Sequence, residues 1–412
     1  MTSPAAPEPY GSARDLPSFR ELERQLAGLK ALNTLLRRGK RDEIRRLEQQ
    51  LRQMTDTVDG FYALLGERNW IFTGDLNMPA MAQVIAVTDP GEAESRFVAY
   101  YQDENRIQFP LGRLHRFAAM RPRMPLLEKA LRDHQEQRYY STVLALLTVM
   151  DGFVNDLDKS DRQGLHARQA EDMVAWDSVV GHHLGLSHAH KSFTKSFYKT
   201  DETEVTELYR NGILHGTLVN FDNIIVATKA WNRLFAVADW ADARAKQAGP
   251  AQPRPSLRET LRDWGTTQQR QRRLDTWTPH DCSPSDPDCE LVGVVQDFLT
   301  RWQARQWGPL GQFFMPVGAK RESVGKLAQL AKDLYEDEDL TGWVMQDIHH
   351  TAAAVAMVEV ALDVNGTTHQ TQLRWVHVRG DGHIAPEWST GTWTLSLYGP
   401  VNFLTARREG NS

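Results

Sequence analysis

The chain has 412 residues, 41% of them hydrophobic and 25% charged, with a net charge of −5 at pH 7, and this length predicts two or three domains. The acidic balance argues against a tight, non-specific nucleic-acid binder, so any RNA contact has to come from a local site. Only Cys282 and Cys289 are present, and no apolar run of ~20 residues or signal-peptide pattern is found, so we expect a cytoplasmic protein with no membrane contact and no disulfide scaffold.

The N-terminal part of the chain predicts helices. Residues 1–16 are expected to be a disordered leader and residues 17–121 a helical region. Apolar residues in steps of three and four mark one helical stripe, which comprises Ile44, Leu47, Leu51, Met54, Val58 and Phe61. Gly39 interrupts the pattern and predicts two helices joined by a turn. The stripe fits a helix packed within its own domain and equally an intermolecular coiled coil.

Residues 122–246 predict a second, all-helical domain. The run from Ser141 to Met150 is apolar almost all round, as is typical of a core helix. The acidic residues between Asp201 and Glu204 suit the N-terminus of a helix that continues through Arg210. A further helix is expected from Ile224 onwards.

The last third of the chain changes character. Proline, glycine and serine in residues 247–289 indicate a linker with a basic helix, and residues 290–405 predict an α+β domain. Its first part, Leu291 to Phe314, is amphipathic and helical, and three later segments alternate apolar and polar residues. Asn365-Gly366 between two of these segments is a strong hairpin signal. The predicted fold class is therefore multidomain, with an all-α N-terminal and central region followed by an α+β domain.

The segment ELYRNGILHG carries the most specific candidate site. Asn211 and His215, four residues apart, share one face of a regular helix, whereas Arg210 lies about 140° around the helix from His215. A histidine can take the proton of a ribose 2′-hydroxyl or protonate the leaving oxygen, and a guanidinium can hold the phosphate. Asn211 can orient the imidazole or bind the phosphate. Gly212 and Gly216 suggest close approach of a backbone or ligand, and Gly216 alternatively ends the helix.

The motif RNGILH, at Arg210, Asn211 and His215 in a helical domain, resembles the HEPN superfamily (higher eukaryotes and prokaryotes nucleotide-binding). The helices from about Pro122 to Arg244 also look like the bundle of its bacterial members. The resemblance implies a homodimer in which two motif helices build one site. It implies metal-independent endoribonuclease activity of a toxin or abortive-infection, antiviral type, with RNA as substrate and a neutralising partner. Helical spacing adds possible cleft-lining residues on another helix, namely Asp151, Asn155 and Asp158.

Two rival interpretations remain open. One is a HEPN-like module that binds a nucleotide or protein without cutting, with Arg210, Asn211 and His215 in a structural role at a helix end. In the other, the C-terminal region, which resembles the cone-shaped fold of the nuclear transport factor and SnoaL-like superfamily, binds a small molecule. That pocket would be lined by tryptophans, among them Trp302, Trp375 and Trp393, although tryptophans of a small domain are more often core.

Neither a cofactor nor a metal is expected. The histidines of GHHLGLSHAH have no carboxylate or cysteine at a recognised spacing. His280, Cys282 and Cys289 depart from a C-x₂-C zinc pattern, so a flexible turn with reduced thiols is predicted there. His349 and His350 precede an apolar segment and are expected to mark a helix end or strand edge.

Overall fold

A computed structural model describes residues 8–35, 41–157, 162–248, 273–316, 322–380 and 382–404. The chain divides into two compact units. The first, the helical unit, consists of Met1–Ile107 and Lys129–Arg273. The second, the α+β unit, consists of Gln108–Glu128 and Leu274–Ser412.

Helices form nearly all of the regular structure before residue 249. In chain order these are α1 (Pro17–Leu35), α2 (Arg41–Leu65), α3 (Met78–Val84), α4 (Pro90–Tyr100), α5 (Glu104–Arg113), α6 (Met124–Gln135), α7 (Tyr139–Leu157), α8 (Leu186–Phe193), α9 (Arg210–Leu214) and α10 (Ile224–Ala248). The prediction of two helices near the N-terminus is confirmed, and the predicted turn at Gly39 lies outside the described residues.

The core of the helical unit is built around α7 and α10, which pack against each other. α7 buries the predicted apolar run, including Val143, Leu147 and Met150. Because α10 is buried around most of its circumference, it also carries polar groups inward. Asn232 accepts from the backbone N–H of Ile71 at 3.0 Å and donates to its carbonyl at 2.8 Å. This pairing satisfies a backbone segment that no helix or strand covers.

The predicted helix through the acidic segment is wrong. α9 contains five residues and begins only at Arg210. Asp201 instead forms an isolated parallel bridge with Leu218, and its backbone N–H donates to the carbonyl of Thr217 at 2.8 Å. The acidic residues therefore belong to an extended segment that lies beside the chain leaving α9.

The α+β unit combines three further helices with one antiparallel sheet. The helices are α11 (Glu290–Gln303), α12 (Trp307–Leu310) and α13 (Val324–Tyr335). The strands are β1 (His280–Cys282), β2 (Leu340–Ala352), β3 (Val355–Val364), β4 (Thr367–Val378) and β5 (Thr392–Leu395), in the sheet order β1-β2-β3-β4-β5. α11 and α13 bury apolar residues in the same hydrophobic cluster as β2, β3 and β4.

The three predicted strands are present as β3, β4 and β5. Burial along β3 alternates strictly after its second residue, as expected for a strand with one face on a core. Asn365 and Gly366 join β3 to β4 with φ values of 53° and 77°. Positive φ at both positions is the geometry that makes Asn-Gly the preferred two-residue hairpin turn, which confirms that prediction.

Two strands were not predicted. β2 holds His349 and His350 inside a 13-residue strand. The prediction of a flexible turn around His280 and Cys282 is wrong, because these residues form β1, which pairs with β2. The predicted basic helix lies mostly outside the described residues, which resume at Arg273.

The coarse organisation, a helical region followed by an α+β region, agrees with the prediction. The two units do not follow the predicted boundary at residue 122, because Gln108–Glu128 group with the C-terminal sheet. Within the described residues, no helix combines the length and the apolar character needed to cross a membrane.

Candidate functional site

The geometry of α9 follows from the way its helix ends. Gly216 has φ of 69°, and its N–H donates to the carbonyl of Ile213 at 3.1 Å. The next N–H, of Thr217, donates to the carbonyl of Gly212 at 2.9 Å. These two bonds around a left-handed glycine are those of a Schellman motif. The helix therefore stops at Leu214, and His215 is the residue that caps its C-terminal end.

Gly212 has a packing role. A Cβ atom at this position would lie 2.5 Å from Cδ1 of Leu218 and 2.9 Å from Cδ2 of Phe197. Real Cβ atoms do not approach other heavy atoms so closely, so a larger residue would push away both neighbours. The two glycines of the motif thus have different functions: Gly212 permits close packing and Gly216 ends the helix.

Arg210 points from α9 to α7. Its Nη2 donates to Oδ2 of Asp151 at 2.6 Å, and its Nη1 donates to Oδ1 of Asn211 at 3.1 Å. The side chains of Arg210 and Asp151 are 12% and 19% exposed. Among the described residues, Nε of Arg210 has no hydrogen-bond partner. The guanidinium is therefore oriented by two partners without using all of its donors.

Asn211 is held by the backbone. Its Nδ2 donates to the carbonyl of Thr194 at 2.7 Å, while its Oδ1 accepts from Arg210. Both ends of the amide are used. Asn211 therefore fixes the guanidinium relative to the segment after α8.

A histidine that sequence reasoning did not single out joins this cluster. Nδ1 of His166 lies 3.3 Å from Oδ1 of Asp151, and the backbone N–H of His166 donates to the same oxygen at 3.1 Å. His166 is half exposed. A second histidine, His190, is buried nearby, with Nε2 2.9 Å from the carbonyl of Arg168. Burial lowers the pKa of His190 to about 4, so it is neutral at pH 7.

His215 lies on the exposed side of α9. Within the described residues, no hydrogen bond engages its imidazole. Arg210, at the other end of the same short helix, is largely buried against α7. Because one chain holds the two side chains apart on this helix, a phosphate that contacts both needs an approach along α9 or a second copy of the motif.

The other predicted site residues have separate positions. Asn155 lies about one helical turn beyond Asp151 on α7 and donates from Nδ2 to Oδ1 of Asp156 at 3.2 Å. Asp158 lies outside the described residues. Trp302, Trp375 and Trp393 are 1%, 0% and 4% exposed and pack in the core of the α+β unit. Their position agrees with the core alternative and gives no support to the pocket.

The α+β unit contains a second cluster of reactive side chains. His280, Cys282 and His350 each place one nitrogen or sulfur donor within 4.8 Å of the others. Sequence spacing could not have shown this group, because His350 comes from a strand about 70 residues further along the chain. The expectation of an isolated turn with reduced thiols did not anticipate it.

Comparisons of the chain with protein-family models, with curated proteins and with solved structures return no match.

Proposed function

We propose that the chain is a metal-independent endoribonuclease, of the toxin or antiviral-defence kind, whose active site is centred on Arg210 and His215. The observation that carries the proposal is the arrangement around α9. An oriented, incompletely hydrogen-bonded guanidinium begins the helix, and an exposed imidazole with no partner among the described residues ends it. These two groups match the needs of phosphodiester cleavage by a neighbouring hydroxyl.

The reaction requires two proton transfers. A base takes the proton of the ribose 2′-hydroxyl, O2′ attacks phosphorus, and the 5′-oxygen leaves with a proton from an acid. The products are a 2′,3′-cyclic phosphate and a 5′-hydroxyl. His215 supplies one of these transfers, and Arg210 binds the phosphate oxygens and stabilises the charge that develops on them.

The remaining residues position this machinery. Asp151 and Asn211 set the orientation of the guanidinium, and the carbonyl of Thr194 in turn fixes Asn211. His166 contacts the same carboxylate as Arg210. Arg210 faces α7 and His215 faces outward. We therefore assign the His215 that acts with a given Arg210 to another copy of the chain. The active form is thus a homodimer in which Arg210 of one copy and His215 of the other act on one phosphate.

A second candidate function is a non-catalytic HEPN-like binding module. One observation favours it: Arg210 already has a carboxylate partner at 2.6 Å, and both ends of the Asn211 amide are used within the fold. A motif of that kind stabilises the junction of α7 and α9 without needing a substrate.

Cleavage assays separate the two functions. Purified protein is incubated with RNA in EDTA, and the ends of the products are analysed. We expect cyclic-phosphate ends from the wild type, a roughly 10²–10³-fold loss of rate in Arg210→Ala and a loss of at least ~10²-fold in His215→Gln. His183→Gln, an exposed histidine of the same unit with no assigned role, is the matched control. Equal rates in all four proteins, each shown to be folded, would favour the binding module.

A further inference from the structure

The pairing of β1 with β2 brings three potential metal donors together. His280 lies directly opposite His350 in the antiparallel register. Side chains of residues opposite each other point to the same face of a sheet, and so do residues two apart along a strand. Cys282 therefore projects on the same side as His280 and His350. Asp281 and His349 occupy the other face, where Nδ1 of His349 lies 2.8 Å from Oδ1 of Asp281.

The donor atoms are close enough for one ion. Those of His280, Cys282 and His350 lie within 4.8 Å of one another. A tetrahedral site with Zn–N of about 2.0–2.1 Å and Zn–S of about 2.3 Å separates its donors by roughly 3.3–3.8 Å. To close around a metal, the donors must move about 1 Å closer together and the stacked rings of His280 and His350 must turn. Imidazole nitrogen and cysteine sulfur are the donors that Zn²⁺ prefers.

His350 provides an independent sign of a ligand. Its side chain is 5% exposed, and among the described residues Nε2 has no hydrogen-bond partner. A buried ring nitrogen without a partner is costly unless something binds it. Nδ1 lies 2.8 Å from Oε2 of Glu387, although the direction of the contact departs from hydrogen-bond geometry.

A carboxylate behind the ring is the usual partner of a metal-binding histidine, because it fixes the tautomer and the ring orientation. Glu387 is itself held in place: its Oε1 accepts from Nε1 of Trp277 at 2.9 Å. This arrangement leaves Nε2 as the nitrogen of His350 that is available for a metal.

Cys289, seven residues after Cys282, is the candidate for a fourth donor. Turns between the two cysteines bring the chain back, with the N–H of Asp286 donating to the carbonyl of Ser283 at 2.9 Å. Both cysteines are partly buried and pack against the same hydrophobic cluster of the α+β unit. Cys289 also immediately precedes α11, so a metal bound there would hold the start of this helix.

We propose that His280, Cys282, Cys289 and His350 bind one Zn²⁺ ion at a closed, four-donor structural site. The ion links β1 and the start of α11 to β2, and so attaches the segment that leads into α11 to the sheet. This inference is independent of the proposed ribonuclease activity, because all four donors belong to the other unit.

Metal analysis of the full-length protein, purified without a histidine tag, tests the proposal. We expect one zinc per chain after dialysis, and protection of both cysteines from a thiol reagent until a strong chelator is added. His280→Gln, which removes an exposed donor, should weaken binding by at least tenfold. His349→Gln, on the opposite face of β2, should leave metal content and affinity unchanged.

Cobalt substitution tests the donor set. Co²⁺ bound at this site should show the intense visible bands of tetrahedral coordination and a thiolate charge-transfer band. That band should fall by about half in Cys289→Ser and in Cys282→Ser, because each removes one of two thiolates. Wild-type protein with no stoichiometric metal, wild-type affinity in His280→Gln, or a Cys282–Cys289 disulfide in freshly prepared protein would each overturn the proposal. An unchanged charge-transfer band in folded Cys289→Ser would likewise overturn the four-donor site.

Discussion

Two arginine–carboxylate pairs, one in each unit, have different environments. Arg374 of β4 donates to Glu128 at 2.5 Å and to Gln108 at 2.7 Å, and the ion pair is almost completely enclosed, with side chains 2% and 5% exposed. Arg210 and Asp151 form a contact of similar length at 2.6 Å, but their side chains are 12% and 19% exposed.

The difference in exposure permits different roles. An enclosed guanidinium cannot reach a ligand, and its partners compensate for the loss of hydration that burial imposes. A partly exposed guanidinium that is oriented by a carboxylate and followed by the exposed His215 can still bind an anion. The number of contacts alone does not distinguish the two pairs. They differ in solvent exposure and in the imidazoles of His166 and His215, which lie near the Arg210–Asp151 pair.

The largest effect is expected when the enclosed pair is broken. Glu128→Ala leaves the buried charge of Arg374 without its carboxylate, so we expect the α+β unit to lose about 3–5 kcal/mol in its free energy of unfolding. Denaturant unfolding measures the loss. Glu359→Gln, at a half-exposed position on the same sheet, serves as the control and should change stability by less than about 0.5 kcal/mol. A loss below about 1 kcal/mol in Glu128→Ala would mean that the enclosed pair is not structural.

Acid should affect the helical unit through its buried histidines. Burial lowers the pKa values of His134 and His190 to about 4. Between pH 6.5 and 4 the unfolded chain therefore binds more protons than the folded one, and stability falls as the pH falls. Each of the two histidines lowers the free energy of unfolding by about 1.4 kcal/mol per pH unit in this window. Over the whole window the loss is roughly 3 kcal/mol for each histidine.

The slope of stability against pH is the quantity to measure. His134→Leu should reduce it by about 1.4 kcal/mol per pH unit. An identical slope in His134→Leu and the wild type would contradict a buried, neutral His134.

The smallest effect on stability is expected at the Arg210–Asp151 pair. Asp151→Asn should cost about 1–2 kcal/mol, because the pair is intermediate between exposed and buried ion pairs. The same variant should lower ribonuclease activity by about tenfold or more, since the guanidinium loses its orientation. Thermal unfolding and cleavage rates measured on one preparation compare the two losses. If Asp151→Asn lowered the free energy of unfolding as much as Glu128→Ala does, the Arg210–Asp151 pair would be as structural as the enclosed pair.

Local sequence patterns predicted the elements that local forces decide. The core helix α7 follows from its apolar run, and the β3–β4 hairpin follows from alternation and from Asn365-Gly366. The end of α9 at Gly216 was one of the alternatives that the sequence offered. Its late start at Arg210 was not predictable, because Asp201 instead lies in an extended segment that contacts Thr217 and Leu218. That contact exists only in the folded unit.

Long-range pairing accounts for the other missed features. β1 has three residues and forms only because β2 pairs with it. Glu128 and Arg374 are separated by 246 residues, so no helical or strand period connects them. The contact of Asp151 with Arg210 was predicted in part: the sequence indicated both as candidate site residues, but not that they pair. His166 had no local signal at all.

A subunit-mixing experiment shows whether one active site is built from two copies of the chain. Arg210→Ala and His215→Ala chains, each inactive alone, are mixed under conditions that exchange subunits, and RNA cleavage is measured. If Arg210 of one copy acts with His215 of the other, half of the dimers are mixed and each has one intact site. Activity should then recover to about one quarter of the wild-type value. No recovery after verified exchange, or no cleavage by the wild type, would contradict the account.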